Sequence, residues 1–243
     1  MCSISMQCGI YQLSKNDRYL YMMKVHYETF SECGPRWTNE DYIKVVERPK
    51  IGRFMAVLCD GMGGHRNGDV ASKLVAEHIC TYRQYDQSQD DSAIKINSAC
   101  KEAMTALNAK SSGEMGTTMA MVCINDDEAL FAHCGDSRIY HIRCNKIIYR
   151  SADHIGTTPE GWPVIERAFY TNTDTYLPEI VEADLLPDDY IFICSDGVYG
   201  ERKEKSLEEI LCSGNCTVDS IKNLASSPAH DNYSGILIKI LAL

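Results

Sequence analysis

Short apolar runs separated by turn residues dominate this chain, and this pattern restricts the fold more than any other feature. The run 54–59 (Phe-Met-Ala-Val-Leu-Cys) is typical, and residues 125–128 (Asn-Asp-Asp-Glu) separate two further runs in a way that predicts a hairpin turn. Apolar, β-branched and aromatic residues indicate strands at 19–29, 42–47, 54–59, 118–124, 129–134, 190–194 and 235–241.

Helical periodicity occurs in four segments, which lie in two adjacent pairs along the chain. Apolar residues recur at helical spacing in 69–83 and 91–109, and again in the shorter stretches 206–212 and 217–226. A parallel sheet would require helices alternating with strands, whereas here the strands outnumber the helices and the helices are neighbours. The sequence therefore predicts an antiparallel, layered α+β fold.

Length and charge narrow the classes of protein further. A chain of 243 residues suits one domain. A chain of this length buries about 70–75% of its unfolded surface, so it needs no disulfides or structural metal to fold. The net charge of −10 disfavours nucleic acid and anionic membranes as partners. The sequence contains no run of about 18 apolar residues, so we expect no membrane span. The first residues do not have the pattern of a signal peptide.

The 12 cysteines are spread along the chain and never form a Cys-x-x-Cys pair. Many of them lie inside the apolar runs, which is typical of buried free thiols in a reducing compartment rather than of a disulfide framework. We therefore expect a cytoplasmic protein. The two tryptophans, Trp37 and Trp162, are interpreted as packing or interface residues.

Isolated acidic residues stand where the apolar runs begin or end. One such residue is usually a solvated turn former, but several converging carboxylates repel each other unless a cation neutralises them. Oxygen-only clusters suit hard ions such as Mg²⁺ and Mn²⁺, and neighbouring glycines allow tight turns. The two hypotheses are therefore solvated turn residues and a dinuclear metal site, and the metal site is the more specific of the two. The residues concerned are Glu40 with Asp41, Asp60, Asp136, Asp196 and Asp231.

These residues lie in motifs that resemble those of the protein phosphatase 2C family, the metal-dependent protein phosphatases. Each motif alone is weak, but six of them in the same order across about 34–240 are specific, and the Asp-Gly-Met-Gly-Gly form is similar to the bacterial branch. The motifs are Arg36-x-x-Asn39-Glu40-Asp41, Asp60-Gly61-Met62-Gly63-Gly64, Gly116-Thr117-Thr118, Gly135-Asp136-Ser137-Arg138-Ile139-Tyr140, Ser195-Asp196-Gly197-Val198 and Asp231-Asn232-Tyr233-Ser234.

The resemblance implies a β-sandwich of two antiparallel sheets flanked by pairs of helices, in α-β-β-α layers. It implies one catalytic domain over 1–243, with 1–18 as an extra N-terminal hairpin or arm and 155–185 as a shortened flap region. The implied enzyme is a monomeric, cytoplasmic signalling phosphatase that hydrolyses phosphoserine and phosphothreonine on proteins. The implied cofactors are two Mn²⁺ or Mg²⁺ ions and a third, weaker ion.

The roles of individual residues also follow from the resemblance. Asp60 would bridge two ions, and Gly61 would offer its carbonyl oxygen. Glu40 would act chiefly through bound water, and Asp41 would support the ligands. The remaining ligands would be Asp196 and Asp231 on the other ion, with Asp136 joining Asp196 at the third.

The implied reaction is attack on phosphorus by a water activated between the metal ions, without a covalent intermediate. Arg36 would bind the phosphate, because a guanidinium group contacts two phosphate oxygens at once. The implied catalytic residues are therefore Arg36, Asp60 and Asp196.

Departures from the family pattern leave two questions open. Animal members have a histidine directly after the first Asp-Gly, where this chain has Met62, as in the bacterial members. The nearby His65 is open to two interpretations, a general acid or a solvent-facing loop residue. An inactive phosphatase-like domain that binds phosphoproteins or regulates a partner is the alternative to the enzyme.

Overall fold

The computed structural model describes residues 24–48, 53–62, 67–85, 93–110, 113–171, 177–200 and 202–241. The predicted N-terminal hairpin or arm at 1–18 lies outside these residues, as does His65. None of the helices within the described part of the chain is long and apolar enough to cross a membrane.

Two five-stranded sheets, in which every strand pairs antiparallel with its neighbours, form the centre of the fold. In spatial order the first sheet contains β1 (Lys24–Glu32), β14 (Tyr233–Leu241), β13 (Tyr190–Cys194), β7 (Arg138–Arg143) and β8 (Lys146–Arg150). The second contains β12 (Glu179–Asp184), β6 (Glu128–Cys134), β5 (Met119–Asn125), β3 (Arg53–Asp60) and β2 (Asp41–Arg48).

Four short strands and five helices complete the described structure. The short strands pair as β4 (Gly116–Thr117) with β11 (Phe169–Tyr170) and β9 (Ile155–Thr157) with β10 (Pro163–Ile165). The helices are α1 (Gly68–Tyr85), α2 (Ala93–Lys110), α3 (Asp196–Tyr199), α4 (Glu204–Leu211) and α5 (Val218–Ala225).

The side chains of β3 show why the sandwich has four layers. Phe54, Ala56 and Leu58 pack in the core between the two sheets, together with residues of β5, β6, β13 and β14. The intervening Met55 and Val57 face the opposite side and pack against α1 and α2. A strand covered on both faces is apolar throughout, which explains the unbroken run in the sequence.

A third apolar cluster covers the outer face of the first sheet. Leu207 and Leu211 of α4 and Ile221 of α5 pack there against Tyr140 and Phe192 of the sheet. Helices thus flank both sheets, and the predicted α-β-β-α sandwich is confirmed. The predicted hairpin turn at 125–128 is also confirmed, since β5 and β6 pair directly on either side of it.

Three strands of the large sheets, β7, β8 and β12, were not predicted from the sequence, and many of their side chains are polar or half-exposed. β8 and β12 are sheet edges with exposed and half-exposed residues in turn. β7 is buried but includes two arginines and a histidine, whose partners are distant in sequence. Apolar patterns cannot identify a strand whose buried side chains are charged and paired.

One of these partners, Asp189, is almost completely buried. Its carboxylate accepts two hydrogen bonds from Arg143, at 2.9 and 2.7 Å, and lies 2.9 Å from Nε2 of His141. Burial alone would raise the pKa of Asp189, but the hydrogen bonds from Arg143 and His141 outweigh burial and lower it. A carboxylate with a lowered pKa stabilises the fold above its unfolded pKa, and this contribution disappears as the pH falls.

We expect Asp189→Asn to lower the free energy of unfolding by about 2–3 kcal/mol at neutral pH, because Arg143 and His141 lose their charged partner. The difference from wild type should shrink below about pH 4, where the unfolded carboxylate takes up a proton. Urea denaturation at about pH 7 and about pH 3.5 measures both values. The matched control is Asp188→Asn at the exposed neighbour, with an expected change below about 0.5 kcal/mol. A pH-independent deficit in Asp189→Asn would contradict this account.

Candidate active site

A cavity of about 710 Å³ opens at one end of the sandwich. All seven residues that the sequence analysis assigns to catalysis or metal binding line it, together with residues that it did not assign. The predicted residues are Arg36, Glu40, Asp60, Gly61, Asp136, Asp196 and Asp231, and the further polar lining residues include Thr38, Thr118, Tyr170 and Asn232.

Antiparallel pairing explains why these distant residues meet. Cys194, the last residue of β13, pairs with Gly235 near the start of β14. The segment after β13 and the segment before β14 therefore leave the sheet at the same end of the strands. Asp196 and Asp231 lie in those segments. In the other sheet Asp41 pairs with Asp60, so β2 begins where β3 ends. Each carboxylate therefore stands at a strand end on the same side of the sandwich.

The backbone around Asp60 is fixed by neighbouring threonines. The Asp60 carbonyl accepts hydrogen bonds from the Thr118 N–H (2.9 Å) and the Thr117 hydroxyl (2.8 Å), while the Asp60 N–H donates to the Thr118 hydroxyl (3.1 Å). The next residue must be glycine, since a Cβ at Gly61 would lie 2.4 Å from the Gly68 carbonyl oxygen. The turn therefore presents Asp60 and Gly61 in one defined conformation.

Three carboxyl groups of the cavity repel each other strongly. Burial raises the pKa of Asp60 well above its usual value, and the charges of Asp41 and Asp196 raise it further. Burial and then Asp231 raise the pKa of Asp196, although a hydrogen bond with Asp60 partly offsets this. Burial and Asp196 raise the pKa of Asp136 to about 7. The arrangement disfavours negative charge on every member unless a cation is present.

Asp41 lies behind the cavity rather than in its lining. Its Oδ2 accepts a hydrogen bond from the Ser195 hydroxyl (2.8 Å), and Ser195 in turn accepts one from the Ser234 N–H (3.0 Å). Among the described residues no partner reaches its buried Oδ1. Burial and the charges of Asp196 and Asp231 raise its pKa to about 6. Asp41 thus connects the ends of both sheets beneath the cavity.

Arg36 is the one basic side chain among the described residues of the cavity lining. Its Nη2 lies 2.5 Å from Oδ2 of Asp231, and both side chains remain partly exposed. The hydrogen bond to Asp231 raises the pKa of Arg36, and the charges of Asp231, Asp196 and Glu40 raise it further, so Arg36 keeps its positive charge. Glu40 lines the same cavity, near Arg36. Burial raises the pKa of Glu40, and the charge of Asp69 raises it further.

Asn232 is the main structural residue of the site that the sequence analysis left without a role. Its Oδ1 accepts a hydrogen bond from the Glu40 N–H (2.9 Å), and its Nδ2 donates to the carbonyls of Cys33 (2.8 Å) and Thr38 (3.0 Å). One amide thereby ties the loop that carries Arg36 to the turn that carries Asp231. The sequence signal that could have identified Asn232 is its position directly after Asp231 in the last family motif.

The loop of Asp136 has support from the opposite side. The Tyr199 hydroxyl donates a hydrogen bond to the Asp136 carbonyl (2.8 Å), and the Arg138 guanidinium stacks on the Tyr199 ring at 3.5 Å. Arg138 also binds both oxygens of Asp153, at 2.8 and 2.6 Å. The conformation of the Asp136 backbone therefore depends on this buried arginine.

Comparison with known proteins identifies the family. Residues 36–224 match the family model described as Protein phosphatase 2C. The chain belongs to the protein phosphatase 2C family.

Relatives by sequence include the protein phosphatase PhpP of Streptococcus pneumoniae, which is 32% identical over 127 residues, covering 49% of this chain and 50% of PhpP. The chain therefore matches about half the length of that relative. A putative protein phosphatase of Mycoplasma pneumoniae is 24% identical over 248 residues, covering 88% of this chain and 95% of the relative.

Solved structures share the fold. A serine/threonine phosphatase of S. agalactiae superimposes with a TM-score of 0.76 at 24% identity, covering 89% of this chain and 99% of that one. The catalytic domain of the phosphatase PstP, solved with two manganese ions, gives 0.73 at 24% identity, with 90% and 99% covered. At this identity the likeness establishes the architecture.

We expect Asn232→Ala to lower the free energy of unfolding by about 2–3 kcal/mol, because three backbone groups lose their partner. Hydrogen exchange of the Glu40 amide should accelerate at the same time. Denaturation and exchange mass spectrometry measure the two effects. The control is Asn223→Ala on the exposed face of α5, where we expect wild-type values. Unchanged exchange in Asn232→Ala would show that the loop is held by other contacts.

Proposed function

We propose that this chain is a Mn²⁺- or Mg²⁺-dependent phosphatase that hydrolyses phosphoserine and phosphothreonine on proteins. The observation that carries the proposal is the meeting of five acidic side chains and one arginine, from separate segments, in a single cavity of a protein phosphatase 2C fold. The carboxylates suit cations, and the arginine suits a phosphate group.

The donor set fits hard divalent ions. The acidic residues of the lining offer carboxylate oxygens, and the backbone of Gly61 adds a carbonyl at the same place. The described residues that line the cavity include neither histidine nor cysteine, so the oxygen ligands favour Mn²⁺ or Mg²⁺ over Zn²⁺. The mutual repulsion of Asp60, Asp136 and Asp196 is the electrostatic feature that a bound cation would relieve.

The proposed ligands follow the family motifs. Asp60 would be shared between two ions, Gly61 would contribute its carbonyl oxygen, and Glu40 would act through water. Asp196 and Asp231 would hold the second ion, and Asp136 would join Asp196 at a third, weaker position. The manganese ions of the related PstP domain support this choice of cofactor.

Divalent ions held by these carboxylates would lower the pKa of water and neutralise charge on the phosphoryl group. Arg36 binds the phosphate oxygens and orients the substrate. Its contact with Asp231 places the guanidinium beside the carboxylates, so that it reaches a phosphate held against them. Thr117 and Thr118 keep Asp60 in position during turnover.

The described cysteines of the sheets are poor candidates for a covalent nucleophile. Burial raises the pKa of the Cys134 thiol to about 12 and that of Cys59 and Cys194 above the usual range. A thiol in this condition carries almost no thiolate at neutral pH. Their position in the strands fits hydrolysis without a phosphoenzyme.

The alternative is an inactive domain that binds phosphoproteins or regulates a partner. Every proposed metal ligand is present and lines the cavity, which favours the enzyme. We also propose that the protein is a monomer, and that it acts on phosphoprotein substrates in cytoplasmic signalling.

We expect Asp196→Asn to reduce manganese-stimulated hydrolysis of a phosphothreonine peptide by at least about 100-fold, since the loss of a ligand exceeds the 10–100-fold effect of a residue that only supports one. EDTA should abolish the activity of the wild type. Asp219→Asn, on the exposed face of α5, is the matched control and should retain full activity. Normal turnover in Asp196→Asn would refute its assignment as a ligand, and a wild type without activity in Mn²⁺ would favour the inactive domain.

We expect Arg36→Ala to raise the KM for a phosphopeptide about tenfold or more, because a charge-assisted contact with the phosphate is lost. Arg36→Lys should recover part of the loss, since it keeps the charge without the planar fork. Manganese binding, measured by calorimetry, should survive in both variants. Equal KM values in wild type and Arg36→Ala would remove Arg36 from substrate binding.

A further inference from the structure

The cavity wall is not entirely polar. Apolar side chains from three separate segments line it beside the carboxylates: Trp37 from the β1–β2 loop, Met62 after β3, and Pro163, Val164 and Ile165 of β10. The chemistry proposed above uses none of these residues. Their presence around a phosphatase cavity requires a separate explanation.

Two of these residues are unusually exposed for their type. Trp37 is fully exposed, and Val164 retains 44% of its accessible surface. Of the two roles expected for Trp37, a packing residue or an interface residue, its exposure excludes packing against the described residues. Exposed apolar surface beside a polar cavity is typical of a site for protein contact, and tryptophan is the residue most enriched among binding hot spots.

The β9–β10 hairpin holds Val164 in a defined position. Val164 pairs with Gly156 across the hairpin. Two hydrogen bonds close the tip of the hairpin. They run from the Thr158 N–H to the Trp162 carbonyl (2.8 Å) and from the Gly161 N–H to the Thr158 carbonyl (2.9 Å). At its base, the Glu166 N–H donates to the His154 carbonyl (2.8 Å). Backbone hydrogen bonds therefore hold the part of the apolar wall that β10 contributes.

The size of the cavity and the roles of its lining residues indicate what this wall contacts. A volume of about 710 Å³ lies within the range of sites that enclose ligands far larger than a phosphate ion. The five acidic residues of the described lining are assigned to the metal ions, and Arg36 is assigned to the phosphate group. The apolar wall is therefore the surface left for the part of a peptide beside the phosphate group, and apolar side chains of the peptide would gain contact with it.

We propose that Trp37 and Val164 form an apolar docking surface that selects phosphopeptides with a large apolar residue directly beside the phosphorylated residue. This inference rests on the proposed phosphatase function and specifies its substrate class. The phosphate group binds at Arg36, and the neighbouring side chain of the peptide covers Trp37 and Val164. Peptides with only small neighbours lose this contact.

The test compares two phosphothreonine peptides that differ only in the flanking residues, leucine in one and glycine in the other. For the wild type we expect kcat/KM to be about tenfold higher for the leucine peptide, the size of a modest hot-spot contribution. In Trp37→Ala the ratio between the two peptides should fall close to one, and in Val164→Thr, which keeps the shape of the side chain, it should fall by about half.

Trp162→Ala is the matched control, because Trp162 is also exposed on this hairpin but does not line the cavity. It should keep the wild-type ratio. Using a ratio removes any change in overall activity that a variant causes through the neighbouring Arg36. A wild-type ratio of one, or a ratio that neither Trp37→Ala nor Val164→Thr lowers, would overturn the docking surface.

Two further measurements separate this inference from the proposed function. Manganese-dependent hydrolysis of p-nitrophenyl phosphate, which has no peptide neighbours, reports on phosphatase chemistry alone. Calorimetric binding of phosphonate analogues of the two peptides reports on docking without turnover. If the wild type lacks hydrolysis but binds the leucine analogue more tightly through Trp37, the docking surface stands and the phosphatase proposal fails. Equal binding of both analogues would overturn the docking surface.

Discussion

Electrostatic repulsion between carboxylates is the constraint on which this structure depends. Asp60 and Asp196 lie close enough to share a hydrogen bond, and Asp41 and Asp136 lie near them in surroundings with little water. Such a cluster costs free energy, so the rest of the fold must hold it together. Two sheets whose strands end at one side provide the rigid frame, and apolar clusters pack between them and beneath the helices on their outer faces.

Hydrogen bonds from uncharged groups hold the site in shape without neutralising it. Thr117 and Thr118 fix Asp60, Ser195 binds Asp41, and Asn232 joins two loops through its amide. These contacts add no positive charge to the cluster, and most of them hold the backbone that carries the carboxylates. A lysine or arginine in the same places would neutralise the cluster and reduce its affinity for divalent cations. The described basic exception, Arg36, lies at the partly exposed side of the cavity, where a phosphate group can reach it.

Much of this arrangement could be predicted from the sequence. Apolar runs locate the buried strands because β3, β5 and β13 are covered on both faces, and the helical periods locate α1, α2, α4 and α5 because each packs one face on a sheet. The acidic residues at the strand ends could be grouped because they stand in motifs of one family. Edge strands such as β8 and β12 were missed, since half-exposed strands have weak patterns.

The partners that connect distant segments could not be predicted by local reasoning. The bond from Asn232 to the Cys33 carbonyl spans 199 positions, and the pairing of Asp189 with Arg143 spans 46. A polar residue gives no sign in the sequence of which remote group it binds. The exposure of Trp37 was equally hidden, because a tryptophan is more often buried than exposed.

The β9–β10 hairpin forms a two-stranded sheet of its own, outside both large sheets. Mutations on its outer face therefore disturb neither the sandwich core nor the strand ends that carry the acidic residues. The segment that shapes the apolar wall is thus structurally separate from the sheets that carry the acidic residues, so surface changes on the hairpin leave the packing of those sheets untouched.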